Sequence, residues 1–72
     1  MQLQAGRIAI LVNGERTETG AVSLGELVAQ LGFSESQVAT ALNGDFVPRQ
    51  SRGATLLAAD DRIEIVAPRQ GG

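Results

Sequence analysis

The chain has 72 residues, is 43% hydrophobic and 19% charged, and carries a net charge of −2, the profile of a single globular domain rather than a disordered segment. A domain this small buries only about 60% of the surface its unfolded chain exposes, so it holds one modest core and no deep substrate cleft. The acidic balance argues against a nucleic-acid partner, which would call for a basic face.

Cysteine and histidine are both absent. The fold must therefore rest on packing alone, and a zinc site would have only carboxylates to draw on. The usual general base and the usual thiol nucleophile are missing as well. All six basic residues are arginine, so the chain has no lysine for a Schiff base or for an isopeptide bond to itself. Ser, Thr, Asp and Glu form no arrangement that suggests a catalytic site, and the chain is not expected to be an enzyme.

Arg7 to Val12 reads as a strand, with Ile8, Ile10 and Val12 on one face. Its apolar run is too short for a secretory segment or a membrane span, which points to a cytoplasmic protein with no membrane partner. Asn13-Gly14 suits a tight hairpin turn, because both residues tolerate positive φ. Glu15 to Thr19 is the polar return strand and belongs at a sheet edge. Ser23 to Leu31 is the clearest helix. Ser23 and Glu26 form a capping box, and Leu24, Leu27, Val28 and Leu31 make one apolar stripe. Gly32 fits the left-handed position that ends many helices, while Gly25 in the first turn costs up to about 1 kcal/mol relative to alanine.

Ser34 to Gln37 reads as a polar connection with one helical turn at most. Val38 to Leu42 is a strand, Asn43-Gly44 a second hairpin turn, and Phe46-Val47 a short edge strand stopped by Pro48. Gln50 to Gly53 is expected to be a loop, with Leu56 and Leu57 buried beyond it. Asp60-Asp61 turns the chain into the last strand, Arg62 to Ala67, with Ile63 and Ile65 inward. The order ββαβββ is an α+β fold of two layers, one sheet under one helix. The first and last strands are the most apolar, so they belong side by side in the middle of the sheet; the helix between them in sequence allows parallel pairing.

Residues 1–67 would form the domain and residues 68–72 a mobile tail, Pro68-Arg69-Gln70-Gly71-Gly72. Extended, those five residues span about 17 Å. A Gly-Gly end is weak evidence by itself: in a chain with nine glycines in 72 residues it arises by chance in about 1.6% of cases. Its weight comes from following a ββαβββ domain.

Three stretches carry a resemblance to a known family: Val12-Asn13-Gly14-Glu15, Ala41-Leu42-Asn43-Gly44-Asp45-Phe46-Val47-Pro48-Arg49, and Asp61-Arg62-Ile63-Glu64-Ile65-Val66 leading into Gly71-Gly72. In these the chain resembles the ThiS family, β-grasp (ubiquitin-like) sulfur carriers of thiamine biosynthesis. It departs from the family pattern at Asp60, where glycine is frequent, and in a longer N-terminal lead-in. The resemblance implies that the carboxyl group of Gly72 is adenylated and then converted to a thiocarboxylate. Gly71, Gln70 and Arg69 would thread into the partner, and Phe46, Val47 and Arg49 are candidates for docking. It also implies a ThiF-like adenylating enzyme, a ThiG-like thiazole synthase and a cysteine-derived persulfide donor. ATP would be used by the adenylating partner, with no cofactor bound to the carrier itself.

Three rival readings stand beside this one. The small subunit of molybdopterin synthase shares fold and tail but lacks the Asn-Gly-x-Phe/Val-Val-Pro-Arg pattern. A ubiquitin-like protein modifier would attach to lysines of other proteins. A plain interaction module would be indifferent to loss of Gly71-Gly72.

Overall fold

The computed structural model describes residues 6–67. The expected lead-in and the tail from Pro68 to Gly72 lie outside the described residues. Five strands and one main helix follow the expected order: β1 (Ile8–Val12), β2 (Glu15–Thr19), α1 (Leu24–Gln30), β3 (Ala39–Leu42), β4 (Asp45–Val47) and β5 (Arg62–Val66). A 3-10 turn at Glu35–Gln37 precedes β3, and a second 3-10 segment at Arg49–Ala54 follows β4.

Both hairpins form at the Asn-Gly pairs. Asn13 and Gly14 have φ of 50° and 86°, and Asn43 and Gly44 have φ of 51° and 91°. Positive φ at both central residues matches the right-handed twist of the flanking strands. The sheet order is β2-β1-β5-β3-β4, with β1 and β5 parallel and the other neighbours antiparallel. The two apolar strands thus take the centre, and the polar β2 and the Pro-terminated β4 take the edges. Asp60, at φ 72°, makes the turn into β5, and its N–H donates to the Ala9 carbonyl.

Helix α1 begins with the expected cap. Ser23 Oγ accepts from the Glu26 N–H at 3.2 Å, while the Glu26 carboxylate accepts from Val22, one residue before the reciprocal partner of a capping box. The helix ends in a Schellman motif: Gly32 N–H donates to Ala29 and Phe33 N–H to Val28. Phe33 then folds back against the core. This corrects the expected stripe, because Leu31 is the cap residue itself and stands 40% exposed. The core between helix and sheet is Ile10, Leu24, Leu27, Val28, Val47, Ile63 and Ile65, with Ala21.

Two further expectations are corrected in the segment after β4. Residues 50–53 are not a loop but part of the second 3-10 segment, and Arg52 within it is 4% exposed. Leu56 is 67% exposed rather than buried. The chain there is extended and bridges Ser23, so successive side chains face opposite sides: Leu57 packs on the core and Leu56 faces out.

Candidate functional site

Strand β5 is the last described element before residues 68–72, so whatever fixes β5 fixes the point from which the sequence continues to Gly72. On one side β3 pairs with it from Leu42↔Ile63 to Ala39↔Val66. On the other side β1 supplies Leu11 and Val12 opposite Arg62 and Ile63. The N–H groups of Leu11 and Asn13 donate to the Asp61 and Ile63 carbonyls at 2.9 and 2.8 Å.

The two hairpin asparagines add to this ladder with their side chains. Asn13 Oδ1 accepts from the Ile65 N–H at 2.9 Å, and its Nδ2 donates to the Ile65 carbonyl at 3.1 Å. Asn43 Oδ1 accepts from the Arg62 N–H at 2.8 Å, and its Nδ2 donates to Asp61 Oδ1 at 3.0 Å. Asp61 in turn accepts from the Ala58 N–H. Sequence reasoning saw these asparagines as turn residues only. Their reach to β5, 52 residues away for Asn13 and 19 for Asn43, carries no local signal.

Strand alternation defines the face of the sheet turned away from the helix. Thr40, Val47 and Ile65 are buried beneath the helix side, so their neighbours point outward. Phe46, Ala41 and Glu64 form one row across β4, β3 and β5, and Ala39 with Val66 forms the next. Phe46 is 70% and Val66 63% exposed. The open face therefore presents two exposed apolar side chains, Phe46 and Val66, toward the C-terminal half of β5, with the exposed Glu64 in the same row as Phe46. Val66 also lines a shallow groove of about 320 Å³, together with Ser36, Gln37, Val38 and Ala39.

The structure separates the three residues expected to dock together. Phe46 lies on the open face. Val47 is buried in the core, so its side chain is not available to a partner. Arg49 is exposed but lines a cavity of about 500 Å³ beside α1, with Gly25, Glu26 and Glu35. Val66, by contrast, joins the open face without having been singled out. The alternation that put Ile63 and Ile65 inward was the signal for it. Gly72, Gly71, Gln70 and Arg69 lie outside the described residues. No helix of the described residues is long and apolar enough to cross a membrane.

The chain is similar to the crystal structure of a thiamine biosynthesis protein (ThiS) from Geobacter metallireducens. The TM-score is 0.76 at 28% identity, covering 90% of this chain and 100% of that one. It is similar also to the NMR solution structure of a thiamine biosynthesis protein from the same organism. There the TM-score is 0.74 at 30% identity, covering 90% of this chain and 88% of that one. No curated protein gives a significant match. The ThiS family model matches residues 6–72, which takes in all the described strands, the helix and the Gly-Gly end; the chain belongs to the ThiS family.

Proposed function

We propose that this protein is a sulfur carrier of thiamine biosynthesis that works through the carboxyl group of Gly72. The observation that carries the reading is the family match, which runs through the whole domain and on to residue 72. A free carboxylate, with a pKa of about 3.5, is ionised at neutral pH and a poor acyl donor. A ThiF-like partner using ATP joins it to AMP with loss of pyrophosphate. The outer sulfur of a cysteine-derived persulfide then displaces AMP, giving an acyl disulfide with the donor cysteine. A second thiol supplied by the partners reduces that S–S bond, forming a disulfide with the donor and releasing the thiocarboxylate. A ThiG-like thiazole synthase takes that sulfur into the thiazole ring. ATP binding and proton transfers belong to the partners, which suits a chain without His, Cys or Lys. The work is cytoplasmic.

The tail residues Arg69, Gln70, Gly71 and Gly72 enter the partner's active site. Glycine suits the last two positions because a residue without Cβ keeps the tail narrow and free to extend. The open-face residues Phe46, Ala41 and Val66 meet the adenylating partner, a role supported by their continuity with the strand that precedes residues 68–72. Arg49, on the helix side, is left outside that contact.

The test is the intact mass after incubation with ATP, the adenylating partner and a sulfur donor. The expected result is a gain matching one oxygen replaced by sulfur, lost in Gly72→Phe while the fold persists, and slowed in Gly71→Val. An unmodified mass, with the partner active on another carrier, would overturn the assignment. Lysine-linked conjugates in its place would mark a protein modifier.

A further inference from the structure

The last backbone hydrogen bond that β1 gives to β5 is from Asn13 N–H to the Ile63 carbonyl, at 2.8 Å. The chain then turns away at Asn13-Gly14. Alternate residues of a strand point their backbone groups to the same side, so the N–H and C=O of Ile65 face the place where β1 has ended. A carboxamide has the donor and acceptor of a peptide group, and Asn13 offers both to Ile65, at 2.9 and 3.1 Å. The side chain stands in for one more rung of the parallel ladder.

The left-handed backbone at position 13 does not demand this. Glycine or aspartate would satisfy the turn as well, but neither supplies both a donor and an acceptor. We infer that Asn13 is a positioning residue for the reacting end of the chain: its carboxamide holds Ile65, the second-last residue of β5, and so fixes the end of the strand from which the sequence continues to Gly72. The inference rests on the sulfur-carrier reading above. Asn43 provides an internal control. Its side chain makes a comparable contact at Arg62, the opposite end of β5 from the tail.

The experiment compares adenylation of the full chain by a ThiF-like enzyme for the unsubstituted protein, Asn13→Gly, Asn13→Asp and Asn43→Gly. Amide exchange at Ile65 is followed in parallel. Asn13→Gly keeps the turn and loses the splint, so the Ile65 amide should exchange about tenfold faster, the scale of one lost hydrogen bond. The kcat should fall about tenfold or more, as for a misplaced reacting group. The KM for the carrier should stay within about twofold, because the open face is untouched. Asn13→Asp keeps an acceptor but no donor and should shift kcat in the same direction; it is the variant to use if the glycine form unfolds. Asn43→Gly should leave kcat unchanged. Equal kcat for Asn13→Gly and the unsubstituted chain, or an equal loss in Asn43→Gly, would overturn the inference alone. Failure of the unsubstituted chain to be adenylated would overturn the reading beneath it.

Discussion

Arg52 is 4% exposed, and each of its guanidinium nitrogens has an acceptor. Nε donates to Thr40 Oγ1 at 3.0 Å, Nη1 to the Glu35 carbonyl at 2.9 Å and Nη2 to the Val38 carbonyl at 2.6 Å. Thr40 passes the chain on to the Val47 carbonyl at 2.9 Å. One side chain thus ties the segment after β4 to β3 and to the 3-10 turn before it. A lysine ammonium cannot reproduce this planar fork, so Arg52→Lys should lose about 2–4 kcal/mol, the scale of broken hydrogen bonds to a buried charged group. Urea unfolding monitored by circular dichroism would read it; a loss below about 0.5 kcal/mol, the range of ordinary surface substitutions, would deny Arg52 this role. None of it was legible in the sequence. Arg52 stands in a polar stretch that reads as loop, and its acceptors lie 12 to 17 residues away.

The elements themselves were far more legible, because their determinants are local. The two Asn-Gly turns, the Ser23 cap, the Gly32 stop and the alternation of Ile63 and Ile65 each act within a few residues. Where an element end depends on a distant neighbour, local reading failed, as at Leu31 and Leu56. Gly25 is an instance where the neighbour explains the residue. Its position in α1 passes close to the second 3-10 segment: an added Cβ would lie 3.4 Å from Gly53 N, 3.5 Å from Gly53 Cα and 3.6 Å from Arg52 C. A methyl group fits that contact, and a branched side chain does not. Gly25→Ala should therefore stabilise the fold by about 0.5 kcal/mol through helix propensity. Gly25→Val should destabilise it by about 1–3 kcal/mol through overpacking. Thermal unfolding of both variants checks the sign, and a destabilised alanine form would mean that the contact is tighter than its distances indicate.

For the molecule as a whole, family was legible and facing was not. Phe46, Val47 and Arg49 are close in sequence, yet strand alternation and the 3-10 segment send them to three different surroundings. The open face around Phe46 gives the sharpest expectation at this scale. With 70% of its surface exposed, Phe46 adds little to the core, and Phe46→Ala should leave the unfolding midpoint nearly unchanged. If the open face meets the adenylating partner, losing an aromatic anchor should raise KM for the carrier about tenfold. An unchanged KM would place the contact elsewhere on the surface.

The central position of β5 has a consequence for biosynthesis. β5 emerges from the ribosome after the other four described strands, yet it joins β1 to β3. A nascent chain that stops short of it holds two unconnected hairpins, neither of which is expected to be stable alone. The sheet can close only by long-range pairing late in synthesis. The open face, assembled across β5, is thus incomplete until that strand has been made; on the sulfur-carrier reading proposed above, a product truncated before β5 would compete poorly for the adenylating enzyme.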